Sequence, residues 1–115
     1  MDTLKLSPSE VQAYRETIQT LLEEYAEIVY LNGQISNQLI IDATENNYLV
    51  MSNGWDEQER VYHCLISIEI KGDKIWIQHD RTEDGIASEL VAAGIPKTQI
   101  VLGFLPPERR KNYSL

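Results

Sequence analysis

The chain has 115 residues, 43% hydrophobic and 24% charged, a balance that suits a single soluble domain spanning residues 1–115 and excludes a disordered tail or a fibre. Eighteen acids against ten bases leave a formal net charge of −8, so the average surface repels phosphate. No apolar run approaches the roughly 20 residues of a spanning helix, and the opening Met1-Asp2-Thr3-Leu4-Lys5-Leu6 lacks the basic flank and apolar stretch of a leader, so a cytoplasmic protein without membrane contact is expected.

Ser7-Pro8-Ser9-Glu10 is a helix start, with Ser7 as cap, Pro8 in the first helical position and Glu10 reaching back to the cap amide. Leu6 and Val11 would close a hydrophobic staple over it. Val11, Tyr14, Ile18, Leu21, Tyr25 and Ile28 then recur at spacings of three and four, and Leu22 and Val29 widen the stripe. This predicts a long helix that ends at Asn32-Gly33. At about 23 residues it would extend roughly 34 Å, more than one small sheet covers, and the excess suggests packing against a second copy, as a homo-oligomer, or against another protein. Its other face carries Glu16, Glu23, Glu24 and Glu27, a solvated face that also suits a basic partner.

The apolar period then changes from 3.6 to 2. Arg60 to Lys71, Gly72-Asp73 and Lys74 to Asp80 predict a β-hairpin with a two-residue loop. Pairing Lys71 with Lys74 sets Ile70 against Ile75, Ile68 against Ile77 and Ile66 against His79 on one aliphatic face. Glu69 then faces Trp76, and Ser67 faces Gln78, on the other. Carried backwards, the inward face takes Cys64 and Tyr62. Across a turn from Gly54 to Glu59 it takes Met51 and Leu49, and across Asn46-Asn47 it takes Leu39 and Ile41.

A second, short helix follows from Ile86, Ala87, Leu90 and Val91, bounded by Asp84 and by Gly94-Ile95-Pro96. Ile100 to Phe104 is apolar on both sides and reads as a short buried or interface strand, and Leu105-Pro106-Pro107 ends regular structure. The fold class is therefore α+β: a long N-terminal helix on a four-stranded antiparallel meander, then a short helix and a short C-terminal apolar strand.

Little in these elements carries chemistry. The register puts His63 on the mixed face and His79 on the aliphatic one, so they share no ion, and no metal or cofactor is expected. Glu69-Ile70-Lys71 has the acid-x-lysine form of Mg²⁺ nucleases, but neither Asp42 nor Asp56 has a place opposite Glu69 to supply the second carboxylate. The lone Cys64 excludes an internal disulfide and reads as a small buried hydrophobe. Trp76 is a large ring on the mixed face, covered by another element or facing a partner. Arg109, Arg110 and Lys111 form one short basic patch, a solvated tail or a weak phosphate contact.

Gly54-Trp55-Asp56, Arg60-Val61-Tyr62, Ile75-Trp76-Ile77-Gln78, Gly94-Ile95-Pro96-Lys97 and Ile100-Val101-Leu102-Gly103-Phe104 follow one another in an order and spacing that resembles the XisI family. These are the fdxN element excision controlling factors of cyanobacteria, and the likeness extends to the helix with Leu21-Leu22-Glu23-Glu24-Tyr25. The resemblance implies a small α+β protein with no catalytic activity of its own. It implies a part in the programmed excision of a DNA element in differentiating heterocysts, beside a recombinase and a companion, XisH, which is similar to restriction-endonuclease-like folds. The expected partner interface comprises Glu23, Glu24, Glu27, Trp76 and Phe104, and any DNA contact, indirect or weak, falls to Arg109, Arg110 and Lys111.

Overall fold

The computed structural model describes residues 7–31 and 33–110, so Leu6 of the expected staple, Asn32 of the expected helix stop and Lys111 of the basic patch lie outside the described residues. Helix α1 (Pro8–Ala26) opens with the capping box read from the sequence. The Glu10 amide donates to Ser7 Oγ (3.2 Å) and the Ser7 amide to Glu10 Oε1 (3.0 Å). Ile18 and Leu22 are fully buried, a burial worth about 1.5–3 kcal/mol per side chain.

The helix stops at Ala26, a turn and a half before the expected Asn32-Gly33, and Ile28, Val29 and Leu31 stand exposed instead of continuing its buried stripe. Three causes act together. The last turn holds no base, and Glu23, Glu24 and Glu27 face the negative end of the helix dipole. The β-branched pair Ile28-Val29 is a poor helix former. Finally, Asn37 offers its side-chain amide to the Tyr25 carbonyl (2.9 Å), supplying the bond that a further turn would have given.

A sheet of five strands follows in the order β1 (Ile35–Ile41), β2 (Asn47–Asp56), β3 (Glu59–Lys71), β4 (Lys74–Asp80) and β5 (Ile100–Leu102). The first four form the expected antiparallel meander. The C-terminal apolar strand joins its edge as β5, parallel to β4. Helix α2 (Ile86–Ala92) makes the crossover that a parallel pair requires. The Ile86 amide donates to Asp80 Oδ2 (2.8 Å) at its start. At its end Gly94 and Ile95 donate to the Val91 and Leu90 carbonyls (3.0 and 3.1 Å), the predicted glycine stop in Schellman form. After Pro106 the chain makes one more helical turn, α3 (Pro107–Arg110), where the sequence suggested that regular structure ends.

Both helices pack on one face of the sheet, where Ile18, Leu22, Ile86 and Leu90 share a core with Tyr48, Val50, Ile66, Ile68, Ile75 and Ile77. Tyr25 ties the helices together, its hydroxyl donating to Glu89 of α2. Arg15 pins α1 to the β1–β2 turn through Asn46 Oδ1 (2.9 Å) and the Glu45 carbonyl (3.2 Å).

The β3–β4 hairpin has the predicted register from Lys71↔Lys74 to Ile68↔Ile77, and then departs from it. A bulge beyond Ile68 pairs Ser67 with His79 and Ile66 with Asp80, displacing the expected Ile66–His79 and Ser67–Gln78 pairs. A second bulge, at Leu65, pairs Cys64 with Met51 but Ile66 with Val50. Each extra residue inverts the alternation beyond it. Leu39 and Ile41 point to the core as expected, but in β2 the core residues are Tyr48, Val50 and Ser52. Leu49, Met51, Tyr62 and Cys64, expected inside, are carried to the other face. The β2–β3 connection is also tighter than the expected Gly54-to-Glu59 turn: Asp56 pairs with Glu59, leaving only Glu57 and Gln58 in the loop.

The β1–β2 turn is organised by Asp42. Its carboxylate accepts from Thr44 Oγ1 (2.7 Å), Asn47 Nδ2 (2.8 Å) and the Asn46 and Asn47 amides (3.0 and 3.1 Å). The side-chain bonds from Asn47 and Thr44 hold its pKa down to about 2. A depressed folded-state pKa contributes stability above the ordinary value of 3.8 and loses it as pH falls through the folded value. The expected outcome is a loss of thermal stability between about pH 4 and pH 2 that is smaller in Asp42→Ala, measured by circular dichroism melts across that range.

Candidate functional site

Glu23, Glu24 and Glu27 all stand in solvent at the C-terminal end of α1. Carboxylates at this end oppose the helix dipole, at about 0.3–1 kcal/mol each, so the turn is electrostatically loaded rather than optimised for stability. A cationic surface placed against it would relieve both the mutual repulsion and the dipole.

Trp76 lies on the opposite side of the sheet, between Glu69 on β3 and Val101 on β5, while its neighbours Ile75 and Ile77 enter the core. Two cations cover its ring: Lys71 Nζ at 4.6 Å from the centroid and the Arg110 guanidinium at 5.1 Å. Arg110 Nε also donates to the Leu102 carbonyl at the sheet edge (2.9 Å). Trp76 and Arg110, assigned from sequence to two different partners, thus form one internal contact. Arg109 is exposed, and Phe104, just past β5, is 44% exposed.

The residues with catalytic or metal-binding potential are placed differently from the sequence reading. His79 is exposed and pairs with Ser67, not on the aliphatic face, and His63 pairs with the buried Ser52, not on the mixed face. They are still close enough to interact: burial, then Arg81 and His79, hold the His63 imidazole below its ordinary pKa. Among the described residues no three of His, Cys, Asp and Glu gather into a metal-binding group. Glu69 faces Asn47 rather than a second carboxylate and accepts from Gln78 Nε2 (3.1 Å), while its motif partner Lys71 sits over Trp76. Burial pushes the half-buried Cys64 thiol up, keeping it protonated at neutral pH, and it donates weakly to the Ile66 carbonyl (3.3 Å).

Sequence reasoning missed the helix-free face of the sheet. The bulge at Leu65 brings Cys64 there opposite Met51, beside Leu49 and Ile40, and the β2–β3 arm continues it with Asn53, Trp55, Arg60 and Tyr62. Ile40, Trp55 and Tyr62 are 41%, 48% and 63% exposed. The Arg60 guanidinium lies between the Trp55 and Tyr62 rings, 5.5 and 5.2 Å from their centroids, and donates to the Gly54 carbonyl (2.9 Å). The signal was the unbroken apolar run Tyr48-Leu49-Val50-Met51, which supplies a hydrophobic residue to both faces.

The comparisons with known proteins agree with this architecture. A family model described as XisI protein matches residues 9–114. The chain belongs to the XisI family. A solved XisI-like protein from Anabaena variabilis ATCC 29413 is similar to it at 38% identity and a TM-score of 0.79, over 88% of this chain and 93% of that one. A second solved structure, the fdxN element excision controlling factor XisI from the same organism, is also 38% identical, with a TM-score of 0.70 over 87% of this chain and 97% of that one. None of the curated proteins matches. In this XisI-family chain the five sequence motifs fall on the β2–β3 arm, on β4 under Trp76, in the connection after α2, and on β5 with the turn that follows it. Among the described residues, no helix is long and apolar enough to cross a membrane.

Proposed function

We propose that the protein is a non-catalytic controlling factor for excision of a DNA element, acting by protein–protein contact on an endonuclease-like partner of the XisH type. The observation that carries this reading is the exposed acidic turn Glu23, Glu24 and Glu27, with no base in the last turn of the helix and the dipole against it. An unfavourable charge arrangement kept in solvent is what a cationic partner stabilises on binding, and rim charges of this kind set the rate and salt dependence of association. The name of the similar Anabaena variabilis protein, an excision controlling factor, supports the process, and the family resemblance supplies the partner.

Replacing Glu23, Glu24 and Glu27 together by lysine is expected to weaken binding to the XisH-type protein at least about tenfold at low salt, with the melting temperature unchanged or slightly raised. Isothermal titration against the purified partner measures this. Separate elution of the two wild-type proteins from a micromolar mixture would remove the reading.

The alternative, phosphate contact through Arg109, Arg110 and Lys111, has less behind it, because Arg110 is held by Trp76 and the Leu102 carbonyl. Under that reading DNA binding falls with salt, and Arg109→Ala weakens it and lowers the salt slope by about 1.

A further inference from the structure

We infer that the helix-free face of the sheet, centred on the β2–β3 arm, binds single-stranded DNA. No single strand of the sheet carries the pattern of rings and bases that such binding needs; it is assembled from two. Trp55 on β2 and Tyr62 on β3 stand 48% and 63% exposed on this face, with Arg60 between them, 5.5 and 5.2 Å from the two ring centroids. Exposed rings beside a cation are what unpaired bases stack on, since every base has a π-face. Arg60 is held in place there by its bond to the Gly54 carbonyl (2.9 Å), which leaves the rest of the guanidinium N–H groups for phosphate.

Charge selects an anionic ligand. The chain has 18 acids and 10 bases, so a face on which bases prevail departs from the average surface. By strand alternation Arg60, Lys71 and Lys74 belong to the helix-free face, Arg110 reaches over its edge to Trp76, and the one carboxylate on its strands, among the described residues, is Glu69. Trp76, covered by Lys71 and Arg110, is not a stacking platform; its two cations are the phosphate contacts at that end. Lys74 is tied to the Thr98 carbonyl (2.8 Å). Arg60 and Lys71 lie roughly 30–35 Å apart along β3. A strand that joins them spans a handful of nucleotides, at the lower end of the about 4–16 that one small single-strand-binding domain covers.

Other anions fit less well. An acidic peptide would meet the bases and leave the Trp55 and Tyr62 rings exposed. A two-stranded ribbon can enter the major groove of a duplex, but the tip of this arm carries Asp56, Glu57 and Glu59, which insertion would drive against the phosphates. A single strand laid along the face avoids them, because Asp56 and Glu59 point to its other side. Between the two ends Ile40, Leu49 and Met51 offer nothing to a 2′-hydroxyl, which favours DNA over RNA. The inference goes beyond the proposed function and does not depend on it, since the acidic α1 turn lies on the other side of the sheet.

Fluorescence anisotropy of a labelled thymidine oligonucleotide of about 12 nucleotides, titrated with the full chain at about 50 mM salt, is expected to show saturable binding with a dissociation constant of about 10⁻⁴ to 10⁻⁶ M. Its logarithmic salt slope should be about −2, for phosphates met by Arg60, Lys71 and Arg110. Trp55→Leu should weaken binding at least about fivefold with the slope unchanged. Arg60→Gln should weaken it and make the slope shallower by about 0.7. Arg109→Ala, which the tail alternative requires to matter, should change neither.

Absence of binding at about 100 µM protein and low salt overturns the inference. So does equal competition by polyglutamate, tighter binding of the duplex or of the uridine ribo-oligomer, or wild-type affinity in Trp55→Leu. If Trp55→Leu fails to fold, Arg60→Gln and the polyglutamate competition still decide.

Discussion

Replacing Gly54 by alanine is expected to be among the most damaging single changes in the protein, costing about 3 kcal/mol or more and lowering the melting temperature by more than about 10 °C. The reason is a backbone approach. Gly54 pairs with Ile35 at the point where β1 enters the sheet, and the Trp55 amide donates to the Gln34 carbonyl there (3.1 Å). A Cβ on Gly54 would overlap the Gln34 carbonyl oxygen and come within 2.7 Å of Ile35 Cα. Neither obstacle is the end of a flexible side chain, so β1 must lift off β2. Gly72→Ala is the control. Gly72 has φ +61° in the hairpin loop with nothing within 4 Å of an added Cβ, so only the left-handed conformation is penalised, at about 1–2 kcal/mol. Thermal melts compare the two, and hydrogen exchange at the Trp55 amide locates the damage. Equal destabilisation by both variants would show that the Gln34 approach carries no special weight.

The sheet edge that Gly54 holds also marks where sequence patterning stops being a guide. The β3–β4 hairpin was legible because Gly72-Asp73 fixes its register locally and the isoleucines alternate without interruption as far as Ile68. The capping box and the glycine stop of α2 were legible for the same reason: each is written in residues three to five apart. Register beyond a bulge is not written locally. Nothing in Cys64-Leu65-Ile66 announces the extra residue, and one such residue moves Tyr62 and Cys64 from the expected core to the other face. With β2 apolar in both parities, Leu49 and Met51 followed them without any mismatch in hydrophobicity to give the error away.

The end of α1 failed for a related reason. The stripe through Ile28 and Val29 satisfied helical periodicity, but the side chain that terminates the helix, Asn37, comes from a strand about ten residues further on. Of the expected interface, the carboxylates of α1 were readable as exposed, since charged residues on a polar helix face have nowhere else to go. Trp76 was not, because its cover is Arg110, a residue 34 positions away whose charge had suggested phosphate instead.

Asn37 is the second position where a large effect is expected. It is 8% exposed on β1, beneath the end of α1, and donates to the Tyr25 carbonyl (2.9 Å) while its Oδ1 accepts from Ser52 Oγ (2.7 Å), itself only 2% exposed. The Tyr30 hydroxyl lies within hydrogen-bonding distance of both polar ends of the amide. Asn37→Leu keeps the volume and removes every one of these bonds. It leaves Ser52 Oγ buried without its acceptor and the Tyr25 carbonyl with only the longer contact from the Ile28 amide (3.3 Å). The expected loss is about 2–3 kcal/mol in urea denaturation, most of it desolvation of the abandoned partners. Ser52→Ala alone should cost about 1 kcal/mol, and adding it to Asn37→Leu should recover part of the loss, because it removes the stranded hydroxyl; a coupling of at least about 0.5 kcal/mol is expected. Strictly additive costs would mean that the two side chains are not working as one buried unit. The cluster also helps set the direction in which Glu23, Glu24 and Glu27 are presented, since its bond to the Tyr25 carbonyl is one of the three causes that end the helix at Ala26. Under the proposed function, Asn37→Leu should therefore weaken binding of a XisH-type partner even below the denaturation midpoint, where the fold is still populated.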